Sequence, residues 1–275
     1  MQIKPLRRRP RSHVFNLVVV TIAFFLLRSV NAWAVSEMRL VSAVEGLRHV
    51  AVQDPQENKL LFMLEKGLRA YSSLDNYRAL FHKTEKGKNG ALGETEKIFL
   101  KFEKPWKIFM GWRNTSKQGL QVVYERGRND GKLAIHHPSP LTFLTPVIFL
   151  EQTSPLVREG SASYNIEDAG IGTFLNDFTR AVLRASRQNT LKVSFDAGTA
   201  DVVFSDKPDT DYFTHRVRVG FDERTGLPIL MELFDDSNQP TGIYEYKDLK
   251  VNLSKDQDFE NQIHSGLLKV YSHSR

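Results

Sequence analysis

The sequence predicts an α+β domain: a strongly curved antiparallel half-barrel sheet of about ten strands, covered by a lid of about three helices. Three observations carry the prediction. Helical and strand periodicities separate along the chain, with two helical segments first, then strands, one more helical segment, and strands again. The strands follow one another at short spacing through turns rich in Gly, Asp and Asn, which suits antiparallel neighbours. Most strands alternate apolar and polar residues, so one face of the sheet needs a cover, and amphipathic helices can supply it.

The elements follow in order. Ser36 can cap a first helix whose Leu40, Val44, Leu47 and Ala51 fall at helical spacing. Asp54-Pro55-Gln56-Glu57 reads as an N-cap, a proline at the first helical position and an acid three residues after the cap. Leu60, Leu61, Met63, Leu64, Leu68 and Tyr71 form the buried stripe of that second helix. From Leu74 the period becomes two. Tyr77, Ala79 and Phe81 alternate with Arg78, Leu80 and His82; Ile98, Leu100 and Phe102 follow, with Phe99 as the one misfit. Ile108, Met110 and Trp112 form the next apolar set, after Pro105. Val122 and Tyr124 lead through Gly127-Arg128-Asn129-Asp130-Gly131 into Leu133 and Ile135, a hairpin. Residues 141–156 break the pattern: strongly apolar, but interrupted by Pro146 and Pro155. They read as a short helix and turn packed on the sheet, or as a flap over an apolar cavity. Residues 168–187 form the clearest amphipathic helix, opened by Gly170-Ile171-Gly172, with acids Glu167 and Asp168 at its start and Arg180, Arg184 and Arg187 toward its end. Strands resume at 191–195, 202–204, 215–222, 229–234 and 242–251, with Val217, Val219 and Phe221 on one face of the third. Thr225-Gly226-Leu227-Pro228 and Asp236-Ser237-Asn238 are the tight turns between them. No linker or repeat interrupts residues 36–260, and residues 35–275 read as a single domain.

Residues 1–34 read as an address. A basic stretch to Arg11, an apolar run over residues 14–27, and Ala32-Trp33-Ala34 make a signal peptide cleaved after Ala34. An uncleaved anchor is the competing reading, but fourteen residues stopped by Arg28 are short for a bilayer, which takes about 20. A periplasmic or secreted location follows. The formal charge of +6 tempts toward nucleic acid, yet Lys4, Arg7, Arg8, Arg9, Arg11 and Arg28 account for all of it. The remaining chain keeps 38 − 6 = 32 basic groups against 32 acidic ones, so it has no global field for phosphate backbones, and no nucleic-acid partner is expected. The absence of cysteine excludes a disulfide scaffold, a thiolate metal site and a cysteine nucleophile.

A search for chemistry finds little. There is no phosphate-cradling glycine loop after a strand, no G-x-S-x-G elbow and no H-E-x-x-H. His136-His137 is the one histidine pair, and neighbours on a strand point to opposite faces, so they suit no shared metal. His82, His136 and His215 are candidates for a lone general base, but a lone strand histidine is more often structural. No catalytic residue, metal or cofactor is expected. What remains is apolar surface.

Tyr77, Phe81, Glu85, Glu94, Ile98, Lys101, Pro105 and Ile108-Phe109-Met110-Gly111-Trp112 resemble a bacterial family of uncharacterised function, the domain of unknown function 1571 family. So do Gly119, Tyr124, Gly127-Arg128-Asn129, Gly131-Lys132-Leu133 and the closing run from Asp222 and Thr225-Gly226-Leu227-Pro228 through Tyr244-Glu245-Tyr246 to Asp258-Phe259. The likeness spans about residues 60–260. The element order is also similar to the periplasmic lipoprotein carriers LolA and LolB. That resemblance implies an unclosed half-barrel and a helical lid around an apolar cavity for acyl chains, and no catalytic residues. The expectation is therefore an exported, monomeric, non-catalytic protein that binds a lipid or a lipoprotein acyl chain. Its expected lining is Ile98, Leu100, Phe102, Ile108, Met110 and Trp112, with Val217, Val219 and Phe221 across the sheet. The alternative is a cell-envelope interaction or sensor module with a filled core and a protein partner.

Overall fold

The structure, a computed structural model, describes residues 46–47, 54–87, 89–138, 147–154, 166, 170–205 and 212–254. Asp54 caps helix α1 (Pro55–Ser72) as its sequence dictates, accepting from the backbone N–H of Gln56 at 2.7 Å and Glu57 at 3.4 Å. At the far end Lys104 donates to the Tyr71 and Ser72 carbonyls at 2.8 and 2.9 Å, placing a cation on the negative end of the helix dipole. Leu60, Leu61, Leu64, Leu68 and Tyr71 are buried along one face; Met63 is only half-buried.

Strands β1 (Asn76–Glu85), β2 (Glu96–Glu103), β3 (Lys107–Trp112), β4 (Gln121–Glu125), β5 (Leu133–His136) and β6 (Ile148–Leu150) run as one antiparallel meander. Helix α2 (Ile171–Arg187) follows. A second meander then comprises β7 (Lys192–Asp196), β8 (Thr199–Val203), β9 (Arg216–Phe221), β10 (Pro228–Phe234) and β11 (Pro240–Val251). Because β11 pairs with β1, the two meanders join into one open antiparallel sheet, ordered β6-β5-β4-β3-β2-β1-β11-β10-β9-β8-β7. Among the described residues eleven strands stand where about ten were expected.

Register lines up the inner face in rows. Phe81 faces Ile98 on one side and Tyr246 on the other, and Ile98 faces Trp112. Ala79, Leu100, Met110, Val122 and Ile135 form the next row. On the other wing Tyr244, Met231, Val219 and Ala200 form a row, and Leu233, Val217 and Val202 another. The expected polar outer face, however, is interrupted on β3–β5. Phe109, Val123 and Ala134 stand opposite one another there and are buried as fully as the inner rows. Phe99 is no misfit but part of this second patch, its ring edge-on to Phe109 with centroids 6.4 Å apart. Gly111 leaves room beside it, since a Cβ would sit 3.2 Å from the Phe109 ring. Strands buried on both faces carry apolar residues at both parities, and alternation stops reporting their orientation.

The apolar segment after Pro140 also departs from expectation. Its Ile148–Leu150 is a strand on the sheet edge, paired to β5, with Ile148 and Phe149 39% and 43% exposed. Prolines on both sides leave too short a run for a helix, and an edge strand tolerates them. The helix or flap expected of its flanks falls on residues 139–146 and 155–165, outside the described residues.

Helix α2 opens on Gly170 as its N-cap and carries Arg184 and Arg187 in its last turn. Glu167 and Asp168 lie outside the described residues. Of the first helix expected, Gly46 and Leu47 are described; both are helical, and a Cβ on Gly46 would meet Leu183 of α2 at 3.1 Å. The described residues thus contain two full helices, and a lid of three is not established.

Helix α1 docks through a small residue. Gly67 of α1 lies where a Cβ would stand 3.0 Å from the Gly226 carbonyl and 3.7 Å from the Phe221 ring. Lys66 lays its stem over Gly226 and donates to the Glu223 carbonyl at 3.0 Å, while Lys59 sits 4.1 Å from the centre of the Phe195 ring. Phe178 of α2 is fully buried and meets the Phe204 ring edge-on at 6.0 Å. Each fully buried Leu or Phe at these contacts contributes about 1.5–3 kcal/mol.

Candidate functional site

All nine residues expected to line an apolar site lie on the inner face, in two groups. Ile98, Leu100 and Phe102 stand directly opposite Trp112, Met110 and Ile108. Val217, Val219 and Phe221 lie on β9, with β1, β11 and β10 between the groups. At about 4.8 Å per strand, β2 and β9 are about 19 Å apart along the sheet. Seven of the nine are buried, and Trp112 and Phe221 are half-buried. Phe221 sits beneath Gly67 of α1, so the β9 group faces the helices. The β2–β3 group meets α1 through Tyr71, whose ring centroid lies 6.4 Å from that of Phe102.

Aromatic side chains fill the inner face between the groups. Tyr77 stacks on Phe102 at 5.0 Å and Phe81 on Tyr246 at 4.8 Å. The Tyr77 hydroxyl accepts from the Ile171 backbone N–H at 3.2 Å, so sheet and helix touch directly there. Burial pushes the Tyr77 and Tyr246 phenols far above their ordinary range, and both stay neutral.

Toward the other end of β1 the same face turns polar. After Tyr77, Ala79 and Phe81, the next inward positions are Lys83 and Glu85; across the ladder Lys83 pairs with Glu96, one inward step from Ile98. Lys83 Nζ lies 3.1 Å from Glu85 Oε2 and 3.7 Å from Glu96 Oε2. Lys117, from the β3–β4 turn, reaches Glu96 Oε1 at 2.5 Å, and the Trp112 indole N–H donates to Glu96 Oε2 at 3.0 Å. The Tyr244 hydroxyl donates to Glu85 Oε1 at 3.0 Å. Gly242 makes that possible: it pairs with Glu85, and a Cβ on it would collide with the Tyr244 ring at 2.7 Å. Burial would raise the Glu96 carboxyl, but Lys83 and the hydrogen bonds from Lys117 and Trp112 outweigh it and hold the group below the usual carboxylate range.

From the sequence Trp112 reads as an apolar lining residue, and the cluster its indole joins does not show. The signal was present in the break of the inward series at Lys83 and Glu85. What joins Lys117 and Tyr244 to them is tertiary.

The histidines stand apart from this cluster. His82 and His215 lie 3.7 Å and 3.4 Å from Glu245 and Asp236, carboxylates that are largely open to solvent. His136 is buried and His137 exposed. Among the described residues no three His, Asp or Glu side chains gather as metal ligands, and no helix is long and apolar enough to cross a membrane.

Residues 74–264, which contain every strand and the polar cluster, match the model of a family described as protein of unknown function, DUF1571. The chain belongs to the DUF1571 family. Among curated proteins none matches the sequence significantly. Solved structures similar to this DUF1571 chain include a LolA superfamily protein from Nitrosomonas europaea, at 10% identity over 71% of this chain and 94% of that one, with a TM-score of 0.32. Another is a putative outer membrane lipoprotein-sorting protein domain from Vibrio parahaemolyticus, at 10% identity over 70% and 94%, with a TM-score of 0.33. A third is a chain in the MucA/MucB complex of Pseudomonas aeruginosa, at 14% identity over 71% of this chain and 59% of that one, with a TM-score of 0.35. Scores at this level do not establish a shared fold, and the fold and site of the DUF1571 chain stand on its own residues.

Proposed function

We propose that this DUF1571 protein is an exported, non-catalytic, monomeric carrier that holds a lipid or a lipoprotein acyl group, with its sheet curved as a half-barrel around the ligand. One observation carries the reading. The inner rows of β2–β5, through Ile98, Leu100, Met110, Val122 and Ile135, are apolar across four adjacent strands, and they end at β1–β2 in a charged cluster. An apolar path with one polar end has the shape of an amphiphile. Helices α1 and α2 pack on β7 and β9 and reach β1 and β2 through Tyr77 and Phe102, and the ligand is taken to lie along the β3–β5 rows beyond them.

Native mass spectrometry of the protein, expressed with its N-terminal segment so that it is exported, tests the reading. Adducts at lipid masses that vanish on solvent extraction are expected. A clean apo mass overturns the proposal. A second reading, an envelope module with a protein partner, is favoured by the apolar β6 edge, where Ile148 and Phe149 are exposed. Its mark is a stoichiometric protein partner that survives delipidation.

A further inference from the structure

A carrier of apolar chains needs no ions on the inner face of its sheet, yet Lys83, Glu85 and Glu96 stand there. Their side chains keep 18%, 7% and 12% of their surface exposed, and Lys117 keeps 31%. Ions at such depth are costly unless paired, and these are paired. The two ammonium groups and two carboxylates cancel in charge. Every carboxylate oxygen holds a donor: Glu85 from Tyr244 and Lys83, Glu96 from Lys117 and Trp112. Each ammonium has three N–H donors, and Lys83 makes two contacts and Lys117 one, so three of the six N–H donors remain.

Resting on the carrier reading, we infer that this cluster is a head-group subsite for an uncharged, acceptor-rich glyceryl ester, which selects the diacylglycerol class over anionic phospholipid. The remaining Lys83 and Lys117 N–H groups donate to ester carbonyl and hydroxyl oxygens. The acyl chains run from there along the rows that start at Ile98–Trp112 and Leu100–Met110. Trp112 joins the two regions, opposite Ile98 in the apolar row and with its N–H on Glu96. A phosphate on the same donors would lie against the Glu96 carboxylate that both lysines hold, so repulsion offsets the attraction. A free ammonium head would stand against the two lysine ammonium groups, so repulsion offsets its attraction to the carboxylates as well.

Two substitutions of opposite charge test this. The protein is incubated with phosphatidylcholine vesicles carrying equal amounts of dioleoylglycerol and dioleoylphosphatidylglycerol, whose acyl chains are identical, and bound lipid is read by native mass spectrometry. The wild type is expected to favour dioleoylglycerol by on the order of tenfold. Glu96→Gln leaves the cluster with an excess positive charge and moves selectivity toward phosphatidylglycerol. Lys117→Met, at the more exposed position, leaves an excess negative charge and moves it away. Damage to the fold alone would move both variants in the same direction. A wild type that takes phosphatidylglycerol equally or better, or variants that shift together or not at all, overturns the inference while leaving the carrier reading intact. A wild type that takes up no lipid overturns the carrier reading, and the inference with it.

Discussion

Gly172→Ala probes how α2 is seated on α1. A Cβ at this position would stand 2.2 Å from Tyr71 Cζ and 2.4 Å from its hydroxyl oxygen. Ordinary contact begins near 3.4 Å, so ring or helix must give by about 3.4 − 2.2 = 1.2 Å. Tyr71 has little room to move. It is 6% exposed, packs on Phe102 and lies 4.9 Å beneath the Lys104 ammonium. Overpacking of this kind costs about 1–3 kcal/mol. Alanine returns about 0.5–1 kcal/mol of helix propensity relative to glycine. The net destabilisation is therefore about 1–2 kcal/mol, a fall in Tm of about 2–8 °C for a domain of this size. Urea unfolding followed by circular dichroism measures it in four proteins: wild type, Gly172→Ala, Tyr71→Leu and the double variant. Tyr71→Leu costs on the order of 2 kcal/mol by itself, but its shorter side chain clears the new methyl group. The double variant is expected to lose at least about 1 kcal/mol less than the sum of the single changes. A neutral Gly172→Ala, or costs that add within about 0.5 kcal/mol, would refute direct contact between the helix start and the Tyr71 ring.

Four further outcomes are expected. The lowered Glu96 carboxyl gives stability that is present above about pH 4.3, its unfolded value, and lost as pH falls through the folded one. Glu96→Gln is then less stable than wild type at pH 7, with a gap that narrows on acidification in denaturant titrations; a constant gap would contradict the pairing. Tyr244→Phe removes one hydrogen bond to a carboxylate and costs about 1.5–3 kcal/mol, measured by urea unfolding. Phe178→Ala empties a fully buried site between α2 and the sheet and costs about 3–5 kcal/mol in the same assay. Gly226→Ala puts a side chain at φ +76° against the Lys66 stem, and a Tm loss equivalent to about 1–2 kcal/mol is expected, whereas an unchanged Tm would show that the turn does not bear on α1.

Much of the fold was legible because its signals are local. The Asp54-Pro55 start of α1 is a matter of four consecutive residues, and the structure places both where the spacing puts them. The inward parity of Tyr77, Ala79, Phe81 and of Ile98, Leu100, Phe102 follows from a two-residue period that needs no partner strand. The same rule misread Phe99, because it belongs to a patch that is buried on the second face and has no polar side to mark its orientation. Ile148–Leu150 was misread for a related reason: a short unbroken apolar run carries no period at all.

For the candidate site the division is sharper. The residue types and the facing of the apolar rows were written in the chain, as was the interruption of the β1 series by Lys83 and Glu85. Which strands become neighbours was not. The pairing of β11 with β1 brings Tyr244 to Glu85 across 159 residues of sequence, and the β3–β4 turn brings Lys117 to Glu96 across 21. Periodicity is a property of a short stretch of backbone and survives without context. Pairing, burial and the cancellation of charge depend on what the rest of the chain places opposite, and only the tertiary structure decides that.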